Sequence, residues 1–448
     1  MTHDLEFIAN TLLEMSKKAG ADSAEAIILE QESLSVDTLN GSLESLERSE
    51  GIDVGLRVIL NNRQACISSS DIREVTMQKM VERSLAMARE APQDDDVLLA
   101  AQHKIAKNWD LNSLDLIDEK IMVEPDCIKD WAIEAEAEAK TVKGVTQVQS
   151  SSASVGMVNS YLATSNGFSA GYSRSSANIS CVSISGKGLE MERDYAYEGR
   201  VYASDLPAPA AIGLLSGQRA VERVGSKKAP TGNYPVIYDE RISSTLIGHF
   251  LNAINGSSIV RGSSWLRGSM DAEIFPKDIS IIENPLKARC FSSRPFDSEG
   301  LKTYSKTIVS DGILKTWLLD LSCGKKLNLD STANAVRSIS APPTPGITNI
   351  TFTNGLKSKL DLMNDMGTGL IITAMIGLTI NPITGDYSRG VSGFWLENGE
   401  IQYPVNECTV AGNLKDIFKS IIPANDARNH LSFSVPSLLV EGLKIAGK

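Results

Sequence analysis

The apolar positions of the first ninety residues change their period twice. Leu5, Ile8, Leu12, Met15 and Ala19 recur at helical spacing, and Lys17, Lys18 and Gly20 close the segment, so a helix is expected there. The segments AEAIILEQ, SLSVDTLN, SLESLERSE, GIDVGLRVIL and QACISSS then alternate with a period near two. Asn40-Gly41 and Asn61-Asn62 separate some of them as turn dipeptides, which predicts an antiparallel meander. Helical spacing returns over residues 71–90, with Asp71 as the expected N-cap. A third helix is expected over 124–140, its Glu134, Glu136 and Glu138 forming a solvated face. Residues 145–205 are Ser-rich alternating strands turning at Asn166-Gly167, followed by a helix over 207–224.

The stretch GSKKAPTGNYPVIYD (225–239) is basic, rich in Gly and Pro, and ends in a short apolar run. It divides the chain into a unit at 1–225, with a connector at about 91–123, and a unit at 226–448. DERISSTLIGHFLNAI (239–254) opens the second unit as an amphipathic helix, and hairpins are expected at Asp311-Gly312 and Asn398-Gly399. Helices and strand hairpins are not arranged as alternating βαβ units. The fold class expected is α+β: two domains with helices packed on antiparallel sheets, the C-terminal half rich in strand hairpins.

A length of 448 residues suits two cores better than one. The net charge of −11, with no long Lys/Arg run, argues against nucleic acid and anionic membrane as partners. MTHDLEFIAN lacks a basic stretch followed by an apolar one, and GLIITAMIGLTI (369–380) is too short to span a bilayer and reads as a buried strand, so a cytoplasmic protein is expected. Cysteines at 66, 127, 181, 290, 323 and 408 lie far apart, as expected of reduced core thiols.

Two short motifs fail on context. GLKIAGK ends the given chain at its Lys, with no Ser/Thr and no following helix to receive a phosphate. GFSAG needs a helix after its serine to be a nucleophile elbow, but the continuation YSRSSANISCVSISG alternates like a strand. FDSEG puts Asp297 and Glu299 two apart, either as a polar turn or as an acidic loop lining a site. His249 lies within the 239–254 helix, where Thr245, Leu246, Asn252 and Ala253 share its face. None of them is a usual zinc ligand, and an H-E-x-x-H site needs a second imidazole and a carboxylate there. A packing role for His249 is expected.

Three stretches carry a resemblance: SSTLIGHFLNAINGSSIVRGSSWL, FDSEGLKTYSKTIVSDGILKTWLLD and NPITGDYSRGVSGFWLENGEIQYPV with its later AGN. On these the chain resembles the TldD/PmbA family, specifically its PmbA (TldE) branch, once described as modulators of DNA gyrase. In the TldD branch the helix carries H-E-x-x-x-H, and a later Cys completes a zinc site. The resemblance sets Ser244 where the first His stands, Thr245 at the Glu, and His249 at the second His. No Cys lies between GNLKDIF and PSLLV. It therefore implies no catalytic residue and no cofactor in this chain, with zinc in a TldD-like partner and His249 as the residual metal candidate.

The family's pair acts on unfolded peptides, including leader removal in microcin maturation and antitoxin breakdown. Capture resembles strand addition. Thr384, Gly385, Asp386, Tyr387 and Ser388 are the expected peptide-binding positions, and a homodimer is possible in isolation. Two other readings stay open. One is an independent zinc protease using His249 with His430 and Asp297 or Glu299. The other is a non-enzymatic modulator of gyrase or of toxin–antitoxin proteins.

Overall fold

The structure, a computed structural model, describes residues 3–122 and 124–448. Helix α1 (Leu5–Lys18) starts at Asp4, whose carboxylate accepts the Phe7 N–H, and buries Ile8, Ala9 and Leu12. Strands β1 (Ser23–Leu39), β2 (Ser42–Leu60) and β3 (Arg63–Ser69) follow. The five alternating segments are thus three longer strands. Polar stretches such as Glu32-Ser33 do not interrupt β1, because Glu32 pairs with both Glu50 and Met157 and its backbone is satisfied whatever the side chain. The expected turns are present: Asn40 and Gly41 have φ of 56° and 74°, Asn61 and Asn62 of 49° and 58°.

Helix α2 (Glu74–Glu90) begins at Arg73 rather than at Asp71. Asp71 instead accepts the Arg73 N–H at 3.0 Å and the Thr76 hydroxyl at 2.8 Å, bracing the turn ahead of the helix. Then come α3 (Pro125–Thr141), β4 (Val145–Thr164), β5 (Ser169–Ser185), β6 (Glu192–Arg200) and α4 (Pro209–Glu222). The strands form one antiparallel sheet in the order β3-β2-β1-β4-β5-β6. Helices α1 and α2 pack on the β1–β3 side, and α3 and α4 on β4–β6. Small residues allow a close fit: a Cβ built on Gly213 of α4 would lie 1.9 Å from the Ala135 carbonyl oxygen of α3.

The expected solvated face of α3 needs one correction. Glu134 is exposed, but Glu136 is 1% exposed and accepts the Gly41 N–H on both carboxylate oxygens, at 3.1 and 3.0 Å. A charge can be buried there because Lys140 pairs with it and the β1–β2 turn supplies a donor.

Past residue 225 the main element is a barrel. Its strands are β7 (Gly232–Tyr238), β14 (Gly369–Ile380), β15 (Asp386–Glu397), β16 (Glu400–Asn413) and β19 (Leu438–Ala446), with β17 (Ile422–Pro423) beside β19. Pairing of β16 with β19, Thr409 against Ala446, closes the ring. The hairpin at Asn398-Gly399 joins β15 to β16 as expected. Between β7 and β14 lie α5 (Glu240–Ala253), α6 (Gly256–Arg261), α7 (Leu321–Leu327) and α8 (Lys359–Met366), with α9 (Leu414–Lys419) following β16.

A smaller sheet joins β8 (Ile281–Glu283), β9 (Lys306–Ser310), β10 (Ile313–Leu314), β13 (Ile350–Phe352) and β18 (Phe433–Ser434), and β11 (Ala335–Val336) pairs with β12 (Thr344–Pro345). The expected hairpin at Asp311-Gly312 joins β9 to β10. The architecture is α+β, and its C-terminal half is rich in strands. One core cluster runs from the barrel through α5 to the smaller sheet and includes Phe250, Phe275, Phe352, Trp395 and Phe418.

All six cysteines are free; Cys127 is exposed and Cys66 half-buried, so the expectation of core thiols holds for the other four. Among the described residues no helix is long and apolar enough to cross a membrane.

Candidate functional site

Helix α5 is set by its cap and its stripe. The Asp239 carboxylate accepts the Arg241 N–H at 3.1 Å and pairs with Lys359, while Ser243, Leu246, Ile247, Phe250 and Leu251 face the core. His249 lies on the flank of that stripe, half-buried. Its ring meets Tyr387 of β15 edge-on, centroids 5.9 Å apart. The Tyr387 hydroxyl accepts from Tyr238 at 3.4 Å and donates to the Met375 sulfur at 3.4 Å. Arg389, two residues along β15 and thus on the same face, is 7% exposed.

Two buried groups here have no hydrogen-bond partner among the described residues: His249 Nε2, and Arg389 through Nε and Nη1. Burial, reinforced by the Arg389 charge, pushes the imidazole down to about 4. His249 is therefore neutral at pH 7, beside a fixed cation.

The other positions of the expected motif lie apart from this arrangement. Ser244 is half-buried, and exposed Thr245 donates its hydroxyl to the Ile242 carbonyl at 2.6 Å. His430 belongs to another cluster, with Nε2 3.2 Å from Arg428 and 3.5 Å from Glu198 of β6. Asp297 is spent on its own loop, accepting the N–H groups of Glu299 and Leu301 at 2.9 Å each and of Ala335 at 3.2 Å. Glu299 accepts the Leu321 N–H at 2.9 Å. FDSEG is thus a locked turn. Among the described residues no three His, Cys, Asp or Glu side chains converge as a metal-ligand group. Ser169 of GFSAG opens β5, and the strand context that argued against an elbow is present.

The loop expected to bind peptide is divided by its geometry. Thr384 and Asp386 are exposed and bonded to each other at 2.6 Å, with the Asn413 amide holding both. Gly385 packs against Trp265, and Tyr387 is 2% exposed. Tyr387 and Ser388 are paired on both sides, with Ile380 and Thr379 of β14 and with Gly412 and Ala411 of β16. An incoming strand has no free backbone to join at those two residues.

A free edge lies one strand away. β14 pairs with β7 only through Leu370–Ile372, and beyond Ile372 no strand among the described residues occupies that edge. Ile376, on this stretch, is 72% exposed. Sequence reasoning missed this edge and Arg389, although SRG was in view. A strand of twelve residues whose partner spans seven betrays its free half only once the pairing is known.

Comparison with known proteins agrees with this architecture. Residues 231–447 match the model of the PmbA/TldA metallopeptidase C-terminal domain, 112–227 that of the central domain and 24–88 that of domain 1. The chain is 34% identical to Metalloprotease PmbA of Escherichia coli O157:H7, over 99% of this chain and 96% of that protein. It is also 34% identical to a Metalloprotease PmbA homolog of Haemophilus influenzae, over 97% and 94%. A solved structure from Bacteroides thetaiotaomicron, named as a candidate modulator of DNA gyrase, superposes with a TM-score of 0.92 at 25% identity, covering 100% of both chains. TldE from Thermococcus kodakarensis shares the fold, with a TM-score of 0.84 at 18% identity over 98% and 99%. With similarity running through nearly its whole length, this chain belongs to the PmbA/TldD metallopeptidase family.

Proposed function

We propose that this chain is the TldE-like subunit of a cytosolic two-component peptidase, holding and presenting unfolded peptides while a TldD-like partner supplies the zinc. The observation that carries the reading is the lone His249 imidazole lying near the buried Arg389 guanidinium. A catalytic zinc wants three protein ligands and an open position. Here one imidazole is offered, beside a buried positive charge that repels a dication, with hydroxyls at Ser244 and Thr245. This donor set does not fit the metal.

Peptide capture by strand addition is supported by the unpaired edge of β14 past Ile372, which can offer main-chain hydrogen bonds to an extended chain. Thr384 and Asp386, exposed at the end of the same hairpin, would flank it.

The test is to mix the purified chain with the TldD-like protein of the same organism and follow cleavage of an unfolded peptide, each subunit alone as control. The mixture is expected to cleave and this chain alone to be inert. Chelator-sensitive hydrolysis by this chain alone, or stoichiometric zinc in it, overturns the proposal. Peptides N-methylated at alternate residues test the capture mode: unchanged cleavage of both alternation series rules out strand addition.

A further inference from the structure

A cleft of about 540 Å³ lies where α4 of the N-terminal sheet meets the first turn of α5 and the outer wall of the barrel. It is nine residues back along α5 from His249, and nothing above assigns it a role. Its apolar lining comes from Met363, Ile371, Phe394 and Ile401. Charged groups border this lining, and most are already satisfied: Asp194 pairs with Arg241 at 2.6 Å, and Asp239 with Lys359.

Three groups are left over: Glu222, which is exposed to solvent, and the partly buried Glu240 and Arg219. The Glu240 carboxylate makes no hydrogen bond or ion pair among the described residues; its backbone N–H donates to the Ser437 hydroxyl at 3.0 Å and its carbonyl accepts the Ser243 hydroxyl at 3.4 Å. Arg219 donates one guanidinium N–H to the Tyr195 carbonyl at 3.1 Å and has no carboxylate within 4.0 Å among the described residues. The two are close enough to influence each other's ionisation, yet they do not touch. Burial and the neighbouring Asp239 charge also hold Glu240 up at about 7, the condition of a carboxylate short of a cation.

An acid and a base of opposite charge, unpaired across an apolar floor, complement a molecule with both charges and an apolar body. We infer that this cleft is a binding site for short zwitterionic peptides: the free ammonium on Glu240, the free carboxylate on Arg219, and apolar side chains on Met363, Phe394 and Ile401. Its volume falls within the ~300–1,000 Å³ of small-ligand pockets. The site is separate from the β14 edge, so it stands whether or not that edge captures substrate.

The test uses the full chain and the dipeptide Leu-Leu, measured by calorimetry at pH 7 beside N-acetyl-Leu-Leu and Leu-Leu amide. Leu-Leu is expected to bind. Acetylation and E240Q should each weaken it about tenfold, as loss of a charge-assisted hydrogen bond does, and so should amidation and R219M. E240Q should not weaken N-acetyl-Leu-Leu further, nor R219M the amide, because each pair of changes removes the same contact. Variants are compared only with wild-type circular dichroism and melting temperature; should R219M fail to fold, E240Q with the acetylated peptide completes the cycle by itself. No binding at millimolar Leu-Leu, or binding indifferent to E240Q and to acetylation, overturns the inference and leaves Glu240 and Arg219 as a water-separated ion pair.

Discussion

Replacing His249 with phenylalanine separates a packing histidine from a metal ligand. The ring keeps its place against Tyr387, while a buried nitrogen with no hydrogen-bond partner is removed. At pH 7.5 the change should be neutral or stabilising by about 1 kcal/mol, because an unsatisfied polar atom costs that much to bury. Acid gives a sharper difference. The folded imidazole is held at about 4 against 6.5 in the unfolded chain, so as pH falls below 6.5 the unfolded chain takes the proton first.

Wild type therefore loses stability between pH 6.5 and 4, and above 6.5 this contribution is constant. The full shift corresponds to about 3 kcal/mol, reduced to ~1–2 kcal/mol because the ring is partly open to solvent. Melting followed by circular dichroism at pH 7.5 and 4.5 should show His249→Phe losing several degrees less than wild type, at ~2–4 °C per kcal/mol for a unit of this size. Added zinc should leave that gap unchanged. An equal acid loss in both proteins, or a zinc-induced rise confined to wild type, would refute the reasoning.

Other substitutions probe how the scaffold is held. Glu25 pairs with Arg57 and lies 3.9 Å from Arg337, all three nearly fully buried, so Glu25→Ala leaves two guanidinium groups uncompensated and should cost ~3–5 kcal/mol in urea unfolding. Glu136→Ala removes the acceptor for the Gly41 N–H and should cost about 1–3 kcal/mol, with Glu136→Gln recovering part of it in the same assay. A Cβ on Gly393 would sit 1.8 Å from the Ile371 carbonyl oxygen, so Gly393→Ala must push β15 from β14 and should lower stability by ~1–3 kcal/mol; an unchanged melting temperature contradicts that packing.

Local patterns foretold much of this fold because they are local in cause. The turns at Asn40-Gly41, Asp311-Gly312 and Asn398-Gly399 need positive φ, which Asn, Asp and Gly tolerate, and each formed. The period of α1 and α5 follows from one helical face needing burial. The spacing on α5 also showed that His249 has no second ligand on its own helical face.

What lay out of reach depends on partners distant in the chain. The ionisation of His249 is set by its burial against the barrel and reinforced by Arg389, and the burial of Glu136 by a turn 95 residues earlier. Which edge of β14 stays open, and which charges in the α4–α5 cleft find no mate, depend likewise on how the barrel closes. Period and turn chemistry are short-range sterics and solvation that a sequence states outright. Electrostatic pairing and strand edges are properties of assembled surfaces, so only the tertiary structure could decide them.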